Sequence, residues 1–220
     1  MQREIITTAD GSKTIQIKDW DEQYHSKHGA IQEAYHVFIK HGLNLFNTQE
    51  LAILEIGFGT GLNAIITLIE SPKRQLKVTY KGVEAFPVAA DELKQLDYIS
   101  ALKAEKFEDQ FNIMHESDWE TEIAVNQHFS LYKQRSDFME INDVNCFDLI
   151  YFDAFGARVQ PELWTEELFG IMYKSLKNKG VLVTYAAKGS VRRAMLAVGF
   201  EVERLPGPPG KREMLRALKA

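Results

Sequence analysis

The sequence predicts an α/β fold built on a mostly parallel, seven-stranded sheet that ends in an antiparallel hairpin and is preceded by a small β-hairpin and helix. Three observations predict it. From Leu51 onward, short apolar runs of strand length alternate with amphipathic stretches of helical period, the pattern of a parallel sheet covered on both faces. The first of these runs leads straight into three alternating glycines, Gly57, Gly59 and Gly61. The last two runs are separated by a Pro/Gly-rich loop rather than a helix, which makes them an antiparallel pair.

The elements follow in order. Residues 5–8 and 14–17 alternate around Asp10-Gly11 and form a β-hairpin. A polar segment covers 19–29. A helix then places Ile31, Ala34, Tyr35, Phe38 and Ile39 on one face and stops at Gly42. Residues 1–45 are thus an amino-terminal extension, and 50–220 the core of the same single domain. Core strands are expected at 51–56, 78–83, 128–132, 147–152 and 181–185, helices at 62–69, 88–99, 163–176 and 191–198, and closing strands at 200–205 and 213–218. The acidic stretch 101–125 shows no clean period and reads as partly loop.

Composition narrows the function classes. A chain of 220 residues suits one large core. Its apolar runs are too short to cross a bilayer, and its first residues lack the apolar core of a secretory signal. Cys146 is the only cysteine, which excludes an internal disulfide and a Cys-based zinc site. These features point to a cytoplasmic protein without a membrane partner. The net charge of −5 is unevenly spread: residues 188–220 hold eight Lys/Arg against three Asp/Glu, leaving 18 against 28 in the first 187. A basic carboxyl-terminal face on an acidic body attracts polyanions. Lysine and arginine on an edge strand also guard against aggregation, and charge alone does not choose between the two.

The sharpest motif is Glu55-Ile56-Gly57-Phe58-Gly59-Thr60-Gly61-Leu62-Asn63. A strand-to-helix turn of this kind needs glycine for backbone angles other residues resist and for close approach of a ligand. A dinucleotide fingerprint would place its third glycine one residue later, and a P-loop would add a lysine. The E-x-G-x-G-x-G pattern instead resembles motif I of the Rossmann-like class I methyltransferases, whose cofactor, S-adenosylmethionine, has no pyrophosphate. Glu84 follows the second core strand, where an acid accepts hydrogen bonds from ribose hydroxyls. Asp137, after the third strand, resembles the acid that reads the adenine amino group.

The fourth strand ends in Asp153-Ala154-Phe155-Gly156, beside the cofactor crevice. Amine methylation needs a neutral nitrogen aimed at the methyl carbon, so positioning and deprotonation are the main tasks. A carboxylate at Asp153 orients N–H groups and offsets charge developing on nitrogen, and Phe155 can stack on a flat base. Turn capping is the alternative role for Asp153.

From here the resemblance is specific. Tyr151–Gly156, Pro161-Glu162-Leu163-Trp164-Thr165, Lys188-Gly189-Ser190-Val191-Arg192-Arg193 and Gly210-Lys211-Arg212-Glu213-Met214 are similar to blocks of a bacterial tRNA-modification family. The family is the methyltransferase domain of the MnmC type, also found alone as MnmD. Asp21-Glu22-Gln23-Tyr24-His25-Ser26 and Glu33 resemble its amino-terminal segment. The resemblance implies methyl transfer to the exocyclic amine of 5-aminomethyl-2-thiouridine at the tRNA wobble position. It implies that Tyr24, Ser26 and Glu33 close over the cofactor. It also implies that Lys188, Arg192, Arg193, Lys211 and Arg212 hold tRNA phosphates. This sequence departs from the usual pattern at Ala154 and in Ala157-Arg158-Val159-Gln160. No FAD site is expected within residues 1–220, and a monomer is favoured. The alternatives are methylation of a small-molecule or protein amine, an aminopropyl transfer of the spermidine synthase type, and a non-catalytic binding module. His25-x-x-His28, with His36 and His41 nearby, is too sparse for a metal site. Trp164 and Phe169 are expected in the core, and Glu116, Asp118, Glu120 and Glu122 on a solvated face.

Overall fold

The computed structural model describes residues 2–220. The amino-terminal extension folds as a small antiparallel sheet of β1 (Arg3–Thr7), β2 (Lys13–Ile17) and β3 (Glu22–Gln23), followed by α1 (Ala30–Ala34), which runs on as a π-helical turn, Tyr35–Lys40. β3 lies inside the stretch that reads from sequence as merely polar.

The core opens with β4 (Glu50–Ile56), α2 (Leu62–Glu70) and β5 (Lys77–Val83). Two short helices follow, α3 (Ala90–Leu93) and α4 (Tyr98–Ala101). The single helix expected at 88–99 is therefore wrong. Asp97 takes non-helical angles (φ −100°, ψ 38°), and α3 buries no residue that would reward continuing the helix across the gap. The stretch 101–125 holds α5 (Glu108–Glu116), which buries only Phe111 and Met114, and most of β6 (Glu122–Asn126). β7 (Phe129–Gln134), β8 (Phe147–Phe152), α6 (Glu166–Ser175), β9 (Leu176–Thr184), α7 (Gly189–Ala197), β10 (Glu201–Pro206) and β11 (Glu213–Leu218) complete the chain.

The main sheet has eight strands rather than seven, in the order β10-β11-β9-β8-β4-β5-β7-β6. The extra strand, β6, pairs antiparallel with β7 at the outer edge. Its burial is shallow, with only Val125 buried, so its apolar alternation is too weak to read from sequence. β4, β5, β7, β8 and β9 run parallel. The β10–β11 hairpin closes the opposite edge, antiparallel to β9.

Side chains alternate across this sheet as its pleat requires. Ile53, Leu149 and Tyr151 join the core under α1 and α2, together with Ile15 and Phe38 of the extension. Leu54, Ile56, Ile150 and Phe152 face the other way, toward Leu168, Phe169 and Met172 of α6 and Val191 and Met195 of α7. Trp164 and Phe169 are buried and Glu116, Asp118, Glu120 and Glu122 exposed, as expected from sequence. The chain reverses its direction of travel across the sheet between β4 and β8, which opens a crevice at their carboxyl ends.

One contact fixes the neighbourhood of that crevice. A Cβ on Gly82 would collide with Cδ2 of Phe58, whose ring is wedged against β5. Gly82→Ala is expected to destabilise the protein by about 1–3 kcal/mol, the usual range for overpacking, seen as a lower urea midpoint with unchanged slope.

Candidate active site

The glycine turn is shaped by its neighbours. Gly57, Gly59 and Gly61 all have positive φ (85°, 51° and 73°), a region costly for other residues. The amides of Gly57 and Phe58 both donate to the Val83 carbonyl at 3.0 Å, bending the turn over the end of β5. A Cβ on Gly57 would lie 2.8 Å from the Asp153 carbonyl oxygen, and one on Gly59 would lie 3.2 Å from the Tyr24 ring.

Three carboxylates surround this turn. Glu84, just past β5, accepts from the Gly59 amide at 3.0 Å and from the Phe86 amide at 2.9 Å. Glu55 is buried beneath the turn, accepting from Tyr80 OH and from Asn63 Nδ2, both at 2.9 Å. The same Asn63 Nδ2 donates to Asp153 Oδ2 at 2.8 Å, so one amide bridges two acids. Burial pushes the carboxyl of Glu84 up and that of Glu55 far up. Burial, reinforced by the nearby Glu33 charge, pushes Asp153 up to about 7 against the opposing pull of Asn63 and Lys211.

His25 stands on the other side of Asp153. Its Nε2 pairs with Thr60 Oγ1 at 2.9 Å, Thr60 pairs in turn with Tyr98 OH at 3.0 Å, and its Nδ1 lies 4.0 Å from Asp153 Oδ2. Burial and the Lys211 charge push His25 down to about 4, so the imidazole is neutral at pH 7.

These groups border a cavity of about 930 Å³, within the size class of cofactor sites. Its floor is Gly57, Gly59, Glu84 and Asp153, and Asp137 and Phe138 stand at the end of β7. Its outer wall comes from the extension: Arg3, Trp20, Gln23, Tyr24 and His25. Phe155 meets Tyr24 edge-on at 4.9 Å between ring centroids and Trp20 at 5.6 Å. Trp164 Nε1 donates to the Phe155 carbonyl at 2.8 Å, which anchors that backbone.

Of the residues singled out in the sequence, Tyr24, Gly57, Gly59, Glu84, Asp137, Asp153 and Phe155 line the cavity. Glu55, Thr60 and Asn63 lie buried behind its wall. Gly61 precedes α2, and Phe58 points into the core against His115 and Trp119. Ser26 and Glu33 do not reach the cavity; the Ser26 amide donates to Glu33 Oε1 at 3.3 Å. Lys188, Arg193 and Arg212 are exposed and Arg192 is half-buried. Lys211 is turned inward, with Nζ 2.5 Å from Glu33 Oε2. Sequence reasoning missed Arg3, Trp20, His25 and Tyr185 as cavity residues. His25 had a signal in the Tyr24-His25-Ser26 block; the others are brought in by tertiary folding alone. Among the described residues, no three His, Cys, Asp or Glu side chains are grouped to hold a metal ion, and no helix is long and apolar enough to cross a membrane.

An acidic crevice with a Cβ-free floor, at the reversal point of a parallel sheet, fits a cationic sulfonium nucleoside. Residues 95–220 match a family of S-adenosyl-L-methionine-dependent methyltransferases, and the chain belongs to that family. More particularly, it resembles the bifunctional proteins of tRNA 5-methylaminomethyl-2-thiouridine biosynthesis, MnmC. It is 30% identical to that of Leptospira interrogans over 90% of this chain and 32% of the relative. It is 28% identical to that of Hydrogenovibrio crunogenus over 89% of this chain and 31% of the relative. The chain thus spans about a third of the length of these curated relatives. The crystal structure of MnmC2 from Aquifex aeolicus superposes with a TM-score of 0.80 at 28% identity, covering 98% of this chain and 69% of that one. Spermidine synthase from Thermotoga maritima shares the fold, with a TM-score of 0.56 at 15% identity over 100% of this chain and 72% of that one.

The burial of Asp153 predicts a measurable linkage. An acid whose folded pKa is about 7, against 3.8 in the unfolded chain, costs nothing below pH 4, progressively more between pH 4 and 7, and a constant amount above. Asp153→Asn retains an acceptor for Asn63 and removes that cost. Its stability relative to wild type is expected to rise from near zero at pH 4 to a plateau above pH 7, on the order of 2–4 kcal/mol, read from urea unfolding across that range.

Proposed function

We propose that the chain methylates the aminomethyl nitrogen of 5-aminomethyl-2-thiouridine at the wobble position of tRNA, giving 5-methylaminomethyl-2-thiouridine. The observation that carries this reading is the position of Asp153: a buried carboxylate on the cavity floor, held by Asn63, next to the aromatic group of Trp20, Tyr24 and Phe155. The names of the relatives point to the same nucleoside.

S-adenosylmethionine, when bound, supplies a methyl group on a sulfonium. Glu84 would hold the ribose hydroxyls, Asp137 the adenine amine, and the Cβ-free backbone at Gly57 and Gly59 would let the cofactor approach the turn. Glu55 and Asn63 act from below by fixing Asp153. The aromatic group takes the flat base, and Asp153 accepts an N–H of its aminomethyl arm. The nitrogen lone pair would form the new N–C bond while the electron pair of the broken S–C bond stayed with the sulfur, and the nitrogen would release one proton to solvent. Ionised Asp153 offsets the positive charge that grows on nitrogen before that proton leaves. The step is not a redox reaction and calls on neither flavin nor metal.

A small-molecule or protein amine would also meet Asp153, but the aromatic group favours a planar acceptor. The aminopropyl alternative has the shared fold behind it and nothing more.

For the partner, exposed Lys188, Arg193 and Arg212 are the candidate phosphate contacts, with Arg192 beside them. Lys188 immediately precedes α7, three residues after Tyr185, which lines the cavity. Reversing the charge of Lys188 and Arg193 is expected to weaken tRNA binding and to lower its salt slope by about one for each phosphate no longer neutralised; an unchanged slope in a filter-binding titration would remove them from the interface.

The direct test uses radiolabelled S-adenosylmethionine and tRNA carrying the unmethylated aminomethyl group, followed by nucleoside analysis. Label is expected in 5-methylaminomethyl-2-thiouridine and its loss in Asp153→Ala, with kcat/KM rising with pH through about 7 as Asp153 ionises. Cofactor binding without transfer to this tRNA would exclude the nucleoside and leave the amine class open.

A further inference from the structure

The family resemblance puts Lys211 at the tRNA surface, yet its ammonium is directed into the protein. It pairs with Glu33, which is buried, and lies 3.7 Å from the centroid of the Tyr185 ring. Each of these partners grips backbone next to a reactive residue. The other oxygen of Glu33 accepts the amide of Ser26, the neighbour of His25. Tyr185 OH donates to the carbonyl of Ala154, the neighbour of Asp153, at 2.8 Å. A separate contact, His36 Nε2 to the Pro206 carbonyl at 2.8 Å, holds the same two parts of the chain together. Glu33 belongs to α1 in the extension and Lys211 to the loop between β10 and β11, so the pair spans 178 residues of sequence.

We propose that Lys211 is a positioning residue for Asp153: through Glu33 and Tyr185 its ammonium clasps the hairpin loop to the amino-terminal wall of the cavity and balances the Glu33 carboxylate beside the reactive acid. Lys211 is not among the residues that line the cavity. The inference rests on the methyl-transfer reading of this cavity only for its kinetic consequence; the clasp itself is a property of the free protein.

Asp153 feels groups from every element packed around it. Asn63 of α2 donates to it, and Glu55 of β4 shares that amide. His25 approaches from the extension, Glu84 stands at the end of β5 and Tyr185 at the end of β9. Glu33 and Lys211 act on it with opposite sign, Glu33 raising its pKa and Lys211 lowering it. Two substitutions that break the same ion pair therefore move Asp153 in opposite directions. Glu33→Gln removes the charge that raises Asp153 and leaves the ammonium that lowers it, and Asp153 ionises at lower pH. Lys211→Met removes the cation, and Asp153 ionises at higher pH.

The experiment measures the pH dependence of the stability difference made by Asp153→Asn in three backgrounds: wild type, Glu33→Gln and Lys211→Met. The upper midpoint of that curve is expected near pH 7 in the wild type, about one unit lower in Glu33→Gln and about one unit higher in Lys211→Met, with the double variant returning toward wild type. Shifts of the same sign in both single variants, or none, would overturn the proposal, because a merely structural pair loosens alike from either end. A second measurement separates the clasp from a phosphate contact. Lys211→Met is expected to leave the salt slope of tRNA binding unchanged, and a slope reduced by about one would return Lys211 to the interface. Opposite midpoint shifts in a wild type that methylates no tRNA would sustain the clasp while removing the substrate reading.

Discussion

The site depends on one amide. Asn63 Nδ2 donates to both Glu55 and Asp153, at 2.9 and 2.8 Å, from the first turn of α2. Glu55 lies near the end of β4 and Asp153 just past the adjacent parallel strand β8, and both side chains are buried. Two acids in a dry pocket repel and burial raises both, and the shared amide pulls each back toward its ionised form. With it, one acid can stay below the glycine turn while the other is aimed into the cavity. The order of the strands places β4 beside β8, the glycine turn starts α2 at the right height, and the amide links them. Gly57 serves the same geometry, since any side chain there would displace the Asp153 backbone.

Around this bridge the cavity has two halves of different origin. The sheet half consists of strand ends: the turn after β4, Glu84 after β5, Asp137 after β7 and Asp153 after β8. The strands that carry these residues are each paired on both sides. The other half is a wall from the extension, with Tyr24 and His25 laid across the turn and Trp20 at the edge of the Phe155 ring. Arg3 lies over the Tyr24 ring and pairs with Glu92 at 2.9 Å, and Arg158 Nη2 donates to the Trp20 and Asp21 carbonyls. The extension is therefore fastened to the core at both margins of the cavity. Its apolar residues Ile15, Ala30, Ala34, Val37 and Phe38 are in the same core as α2, so wall and floor are packed as one body.

The two halves are unequally legible in the sequence. Strand ends are readable because a buried strand is an apolar run, and a polar residue breaking its end stands out; Glu84 and Asp153 are found this way. Glycines in the turn announce positive φ and close approach. The wall has no such signature. Trp20 and Arg3 lie in short, half-buried stretches whose period says nothing about what they will face. Tyr185 continues a strand and reads as its last core position. The edge strand β6 and the break between α3 and α4 escape sequence reading for a related reason: shallow burial leaves little hydrophobic pattern to read. Lys211 shows the limit most clearly. Its charge is visible in the sequence, but the partner that turns that charge inward is 178 residues away.

That division also bears on what the fold can decide. Parallel strands with an acidic crevice at their carboxyl ends suit a nucleoside cofactor. The parallel sheet and its glycine turn do not by themselves say which group is transferred or which nucleophile receives it. On the proposed reading, the half that completes the cavity adds Trp20 and Tyr24 as ring faces against Phe155, while Asp153 of the sheet half meets the amine. A neutral His25 beside Asp153 suits that task, since it fills space and bonds Thr60 without adding a positive charge to compete with the incoming amine. On that reading, acceptor specificity depends on how the extension is folded over the sheet, and the contacts that fasten it are as much part of the site as the residues that line it.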